Sequence, residues 1–307
     1  MNYQYKFTVF TPCYNSELFL QRVFNSLQNQ TYKDFEWIII NDASQDNTHS
    51  LIERFIEKAQ FPINYIRNQR NLMLSMNYNT AIREAKGEFF MPTGHDDEFI
   101  SKTLETYLNY WEKYGSDLYS GITCLCQDQY GNLIGDRFPT SPYFSNYFEI
   151  VYNRKIKGEK CGIIRTDIIK RYLLPEDVDV YVSEGLIWMS IGKEFKTIYI
   201  NEIIRTYYIN EINHKSLSSI LKHGIKYPNG QKYIDLQMIN TFHNLINRNY
   251  VIKIKNYLNY ICLSLFIGNS PRKIFKDVLL IQNRILLSIL FPIGLFFFIK
   301  LKLINKK

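Results

Sequence analysis

Neither of the two common glycine-rich phosphate loops is present. No GxGxxG and no GxxxxGK occurs in the 307 residues, which argues against a Rossmann dehydrogenase and against a P-loop enzyme. The five cysteines, Cys13, Cys124, Cys126, Cys161 and Cys262, are odd in number and irregular in spacing. No zinc pattern results, and free, mostly buried thiols in a reducing compartment are expected. Internal repeats and low-complexity linkers are lacking. No secretory signal precedes the first strand-like run, so the N-terminal domain is expected to remain cytoplasmic. No Arg/Lys cluster interleaved with stacking aromatics stands out early in the chain. The net charge of +8 therefore suits a phosphate-bearing substrate or an anionic membrane, and no nucleic acid is expected. The 24 Tyr and 21 Phe accompany frequent Asn, Ile and Lys, a bias that an AT-rich genome produces without any aromatic binding surface.

The first hundred residues alternate strand and helix. Lys6 to Thr11 is a β-rich run. Ser16 is expected to cap a helix with Leu20, Val23, Phe24 and Leu27 on one face. Phe35 to Ile40 is continuously apolar and ends in Asn41-Asp42, as a buried parallel strand does. Thr48 to Lys58 reads as helix, Ile63 to Ile66 as strand, and Ser75 to Lys86 as helix stopped by Gly87. Glu88 to Pro92 is a fourth strand. This rhythm predicts an α/β fold, a mostly parallel sheet covered by helices on both faces, with ligands at the carboxyl ends of the strands. Beyond Lys102 a helix (Leu104 to Tyr114), a strand (Leu118 to Leu125), a loop (Asp128 to Asp136) and a short helix near Asp167 to Tyr172 follow. A helix from Glu184 to Gly192 and strands Lys196 to Ile200 and Ile204 to Ile209 come next. After about Asn213 the chain reads as helical.

Three polar clusters fall at strand ends. Thr11-Pro12-Cys13-Tyr14-Asn15 follows the first strand, where an aromatic ring and an amide can meet a nucleobase. Asn41-Asp42-Ala43-Ser44-Gln45-Asp46-Asn47-Thr48 follows the second. There Asp42 can accept from a base N–H or a ribose hydroxyl, while Asp46 or Asn47 suits a helix cap. His95-Asp96-Asp97 follows the fourth. Two adjacent carboxylates repel, and a hard divalent cation, Mn²⁺ or Mg²⁺, relieves the repulsion; a solvated acidic turn is the plainer alternative. His95 reads as a spacer.

Together, in this order and spacing, the clusters resemble the donor half of family-2 glycosyltransferases, the inverting enzymes of the Rossmann-like GT-A fold. That family's first strand ends in T-P-x-Y-N, its second in D-D-x-S-x-D-x-T, and its fourth in D-x-D-D. Here Asn41 replaces the first Asp of the second motif, and Gly94 the first Asp of Gly94-His95-Asp96-Asp97. Asn71 and Asn79 lie in the segment that matches the link from strand three to the next helix. The resemblance implies a nucleotide-sugar donor, with a UDP-sugar expected. It implies donor binding by Thr11, Pro12, Tyr14, Asn15, Asp42, Asn71, Asn79 and Asp96, and a metal on Asp97. It also implies a carboxylate base at a helix start about a hundred residues downstream. Glu184, in Val182-Ser183-Glu184-Gly185, is the candidate, with Glu176 and Asp177 as the fallback. Trp188 is placed at the acceptor or in the core, and Arg205 at a phosphate or paired with Glu202. A catalytically inactive nucleotide-sugar-binding scaffold and a nucleotidyltransferase are the competing readings.

The expected organisation is a donor-binding half over 1–100, an acceptor and catalytic half over 101–213, and a helical extension over 214–307. Its apolar segment 285–299, followed by Lys300, Lys302, Lys306 and Lys307, would be about 22 Å long as a helix. That is short of the ~30 Å bilayer core. A helix lying in the membrane interface on the cytoplasmic face is therefore expected, with a spanning or re-entrant segment and a helix packed on the protein as the alternatives, beside a glycan or lipid-linked glycan acceptor.

Overall fold

The computed structural model describes residues 2–177, 181–209, 227–246 and 249–304. They form two units. One comprises Met1–Leu174 and Ser190–His214, the other Pro175–Met189 and Lys215–Lys307. The second is discontinuous in sequence: the short segment that carries Glu184 groups with the C-terminal helices and not with the sheet.

The first unit is built on nine strands: β1 (Tyr5–Cys13), β2 (Phe35–Asn41), β3 (Ile63–Arg67), β4 (Gly87–Pro92), β5 (Glu98–Phe99), β6 (Tyr119–Gln127), β7 (Tyr143–Ser145), β8 (Lys160–Arg165) and β9 (Lys196–Thr206). They pair in the order β3-β2-β1-β4-β8-β6-β9-β5, with β7 on β9. β1 to β4 are mutually parallel. β8 runs antiparallel to both β4 and β6, so the sheet is mixed. Helices α1 (Leu20–Gln28), α2 (Thr48–Lys58), α3 (Met73–Glu84), α4 (Thr103–Tyr114) and the short α5 (Thr166–Ile169) flank it. All seven residues of β2 are buried, which is why its sequence shows no alternation. The core between sheet and α1/α2 is aromatic. Phe24 and Phe55 stack with centroids 4.3 Å apart, and Trp37 lies within 6.4 Å of both rings.

Several boundaries differ from the sequence reading, each for a local reason. Gly87 opens β4 and does not end α3. A Cβ there would stand 2.3 Å from the Thr8 amide nitrogen, so the β1–β4 approach needs glycine. Ser16 is not the N-cap of α1, which begins at Leu20 after Phe19; its hydroxyl instead accepts from the Tyr14 amide at 3.1 Å. Lys196 to Thr206 is one strand and not two, but its pairing with β6 shifts register between Tyr199 and Ile203, around Asn201, whose side chain bonds the backbone of Phe138.

The second unit contains the start of α6 (Gly185–Glu194), then α7 (Pro228–Asn240), α8 (Tyr250–Phe266), α9 (Pro271–Asp277) and α10 (Ile281–Ile304). Tyr181 packs tightly here: a Cβ on Gly230 of α7 would lie 1.9 Å from the Tyr181 carbonyl oxygen. The core of α7 to α10 gathers Ile239, Tyr257, Tyr260, Ile261, Leu287 and Leu290. α10 has 24 residues, about 36 Å. It takes in the polar Gln282, Asn283 and Arg284 that separate it from a purely apolar run, and it is longer than the fifteen-residue segment expected. Asn283, Leu287, Leu290 and Gly294 form its buried face, and a Cβ on Gly294 would meet Ile261 at 2.6 Å. On the opposite face Ile281, Ile285, Ile289, Ile293, Phe296 and Phe297 are exposed.

Candidate active site

Parallel pairing puts the ends of β1, β2 and β4 on one edge of the sheet. Cys13 registers with Asn41, and Phe10 with Pro92. The Asp42 amide donates to the Cys13 carbonyl and the Thr93 amide to the Phe10 carbonyl, both at 2.8 Å. β1 lies between the other two, so the loops bearing Asp42 and Asp96-Asp97 leave strands about 10 Å apart. That distance matches the scale of a nucleoside and its diphosphate.

The first two loops hold each other. Asn15 has φ of 51°, in the left-handed region that Asn tolerates better than most side chains. Its amide donates to Ser44 Oγ at 3.0 Å, and its Oδ1 accepts from the Gln45 amide at 2.8 Å. Asp46 accepts from the Glu17 amide at 3.1 Å and from the Thr48 amide at 3.1 Å, a structural role. Tyr14 stands 48% exposed at this edge, its ring available to stack. Pro12 is half-buried beside it. Thr11 is fully buried, and its hydroxyl accepts from Trp37 Nε1 at 2.9 Å, so it supports the turn from below.

Asp42 is buried and heavily used. Its Oδ1 accepts from Asn68 Nδ2 and the Leu72 amide, both at 2.8 Å, and its Oδ2 from the Met73 amide at 2.9 Å. A carboxylate has about four acceptor positions. One position on Oδ2 remains for a ligand. Asp42 therefore also shapes the β3–α3 loop, where Met73 sits at φ 67° and Asn71 Oδ1 accepts from the Met73 amide at 3.0 Å. Asn79 is fully buried, and both ends of its amide bond the Leu174 backbone at 2.8 Å. The Asn68 contact carries no motif of its own and was not foreseen from sequence.

Asp97 is 2% exposed. Its Oδ2 accepts from Thr93 Oγ1 at 2.9 Å, the Gly94 amide at 2.7 Å and Arg205 Nη1 at 2.9 Å. Arg205, also buried, gives its other terminal nitrogen to Glu159 at 2.9 Å. Its partners are thus Asp97 and Glu159, while Glu202 accepts from Tyr110; neither sequence reading of Arg205 anticipated this. Burial lowers the Arg205 pKa, but Asp97 and other neighbours outweigh it, and the guanidinium is held well above its ordinary value. The neighbouring Tyr207 hydroxyl is pushed up by burial, then by Glu159, Asp96 and Asp97, and stays a proton donor. Gly94 has a steric reason. A Cβ there would stand 2.5 Å from Asp96 Oδ1 and 3.1 Å from Asp97 Oδ2, so both carboxylates fold over the position where the family pattern has an Asp. His95 lies 6.2 Å, ring to ring, from Phe19, which links this loop to the entrance of α1.

For a divalent cation the relevant observation is Asp97 Oδ1, a buried oxygen with no hydrogen-bond partner. With the adjacent Asp96 it offers hard oxygen ligands. No group of three or more His, Cys, Asp or Glu suited to a metal occurs among the described residues. Mg²⁺-type sites commonly use only one or two carboxylates, with substrate phosphates and water completing the shell. The residues present fit such a site.

In the second unit Glu184 immediately precedes α6. Ser183 Oγ accepts from the Gly185 amide at 3.2 Å, and the Tyr181 and Ser183 hydroxyls both lie 3.4 Å from Glu184 Oε2. Burial, then the Glu184 charge, holds the Tyr181 hydroxyl well above its ordinary pKa, so Tyr181 orients the carboxylate as a donor. Trp188 is half-buried one turn on, and Glu176 and Asp177 lie upstream in the same unit.

A mixed α/β sheet with acidic and aromatic loops on one edge defines the class of GT-A sugar transferases. The chain belongs to Glycosyl transferase family 2, whose model matches residues 8–173. It is 27% identical over 209 residues to the GalNAc(5)-diNAcBac-PP-undecaprenol beta-1,3-glucosyltransferase of Campylobacter jejuni, a match covering 66% of this chain and 65% of that enzyme. It is 28% identical over 115 residues to the poly(ribitol-phosphate) beta-N-acetylglucosaminyltransferase TarS of Staphylococcus aureus, covering 37% of this chain and 20% of TarS. The chain thus spans just under two thirds of the first relative and a fifth of the second. Among solved structures it resembles TarS 1-349 in complex with UDP-GlcNAc, with TM-score 0.63, 17% identity, 89% of this chain and 84% of that one. It also resembles the mannosyltransferase PcManGT of Pyrobaculum calidifontis with GDP-Man and Mn²⁺, with TM-score 0.55, 14% identity, 99% and 89% coverage. At these identities the structural likeness speaks to the fold.

Proposed function

We propose that this protein transfers a sugar, with inversion, from a UDP-sugar to a hydroxyl of a lipid-linked glycan at the cytoplasmic face of a membrane. The observation that carries the reading is the meeting of Tyr14, Asp42, Asp96 and Asp97 on one sheet edge in a family-2 chain. Tyr14 stacks on the base, and the open acceptor position of Asp42 takes a base N–H or a ribose hydroxyl. Asp96 and the unpartnered oxygen of Asp97 would hold Mn²⁺ or Mg²⁺, which when bound neutralises the diphosphate charge. Arg205 fixes the Asp97 carboxylate in place.

Glu184 takes the proton of the acceptor hydroxyl as its oxygen bonds to the anomeric carbon. The bond from that carbon to the β-phosphate oxygen breaks, and its electron pair leaves with the nucleoside diphosphate. General-base help of this kind is worth roughly 10²–10⁴ in rate. A lipid-linked acceptor is supported by the Campylobacter relative, whose name gives an undecaprenol-diphosphate-linked glycan, and by α10. That helix carries a candidate span, Ile281–Leu303, with mean hydropathy 2.1 and only 17% of it buried. Packed along one face and apolar along the other, it suits a place in the membrane interface.

The test is nucleoside diphosphate release from a panel of nucleotide sugars with polyprenol-diphosphate-linked glycans, with and without Mn²⁺. Turnover that needs both donor and glycan supports the reading, and Glu184→Gln then retains donor binding while losing transfer. Donor binding without turnover on any glycan would favour an inactive scaffold instead.

A further inference from the structure

The helical unit contains a cavity of about 230 Å³ that the transfer reaction does not use. Its polar lining includes His243, Lys253, Asn256 and Gln282, and Met238 and Leu286 supply apolar walls. No Asp or Glu is among the described residues lining it. Both ring nitrogens of His243 are buried, and neither makes a well-formed hydrogen bond within the protein, although the Asn240 backbone lies close to the ring. Buried ring nitrogens short of good hydrogen bonds cost free energy unless a ligand or water meets them. Burial first, and the Lys253 ammonium second, hold the His243 pKa below its ordinary value against the nearby Asn240 backbone. An anion in the cavity relieves both effects.

The surroundings say where such an anion comes from. Lys253 and Gln282 each sit in sequence among exposed apolar residues: Tyr250, Val251 and Ile254 on α8, and Ile281 and Ile285 on α10. Gln282 lies in the first turn of the helix whose outer stripe is apolar, so the polar cavity adjoins the surface that would enter a bilayer. An interfacial helix places its apolar face below the headgroups and its basic residues at their level.

The geometry points to this cavity as a binding site for the phosphate of an anionic membrane lipid, gripped by Lys253, His243, Asn256 and Gln282. The inference rests on the membrane-facing reading of α10 but not on the sugar transferred. A phosphate group, about the size of a few waters, fits the volume.

The test uses the full-length protein with phosphatidylglycerol vesicles, phosphatidylcholine vesicles and inorganic phosphate. Binding is expected to prefer phosphatidylglycerol. Lys253→Ala should weaken it about fivefold, the effect of one basic residue at an anionic surface, and Gln282→Glu, at an exposed position, should weaken it at least as much. Lys302→Ala, far along α10, is the comparison for a basic residue that meets headgroups outside the cavity, and it should weaken binding less. Water-soluble short-chain phosphatidylglycerol should also raise the titration midpoint of the His243 ring signal in wild-type protein, which has only five histidines to assign. Inorganic phosphate at the same concentration should do so more weakly; an equal effect would show a free-anion site and overturn the lipid assignment. Equal losses for Lys253→Ala and Lys302→Ala, with an unmoved His243 signal, would overturn the cavity site while leaving membrane binding intact. No vesicle binding by the wild type would remove the membrane reading itself. Sugar transfer to a water-soluble acceptor stands apart from all three outcomes.

Discussion

Replacing Arg205 with Met should destabilise the sheet unit severely, and the size of the loss follows from burial. Arg205 and Asp97 are each about 5% exposed or less and bond at 2.9 Å. Removing the cation strands the Asp97 charge, with only Thr93 and the Gly94 amide left to it. Breaking one side of a buried pair costs about 3–5 kcal/mol. Glu159, half exposed, adds little once solvent screening is counted. In a unit of this size each kcal/mol moves the melting temperature by about 2–4 °C, so a fall of about 10 °C is expected by calorimetry or fluorescence. The double variant Arg205→Met with Asp97→Asn should recover much of that loss, because no buried charge remains unpaired, yet it should stay inactive. A single-variant shift below about 3 °C, or no recovery in the double variant, would refute the claim that this ion pair carries the loop.

Further measurements probe other parts of the chain. Asp235, buried in α7, has its carboxyl pushed up to about 7 by burial, against Gln231 and Lys255. Its folded pKa lies above the unfolded one, so its share of stability is greatest below about pH 4 and is lost as pH rises towards 7. The loss is on the order of 4 kcal/mol in full. Asp235→Asn should therefore flatten the stability profile between pH 5 and 7 and stabilise the protein at pH 8; an unchanged slope would contradict this. Tyr14→Ala should weaken donor binding about tenfold, the scale of one base-stacking contact, with unchanged melting temperature. Cys13, Cys124, Cys126 and Cys161 are buried thiols raised by desolvation, so they should resist alkylation until the protein unfolds, while half-buried Cys262 reacts first. Deleting 281–307 should abolish vesicle binding and leave donor-induced thermal stabilisation in place.

Much of the first unit was legible because its signals are local. β2 is a run of apolar residues closed by Asn41-Asp42, and α2 spans Thr48–Lys58, where Leu51, Ile52 and Phe55 of the apolar stripe are buried while Ile56, also read as part of it, is exposed. The strand-end clusters belong to turns whose chemistry is written in adjacent residues. The antiparallel insertion of β8 was not legible. No strand was expected over Lys160–Arg165, and its place between β4 and β6 is decided by partners dozens of residues away.

The sequence by itself determined the parallel half of the sheet, the family, the acidic and aromatic residues at the strand ends, and an apolar C-terminus. All of these depend on periodicity or on neighbours in the chain. Tertiary structure alone decided that Arg205 closes on Asp97 across 108 positions, that Thr11 and Asn79 spend their polar atoms inward, and that Gly94 leaves room for two carboxylates. It also decided that α10 buries one face and bares the other. Hydrogen-bond partners and burial are properties of contacts between distant segments, and no spacing rule along the chain encodes them.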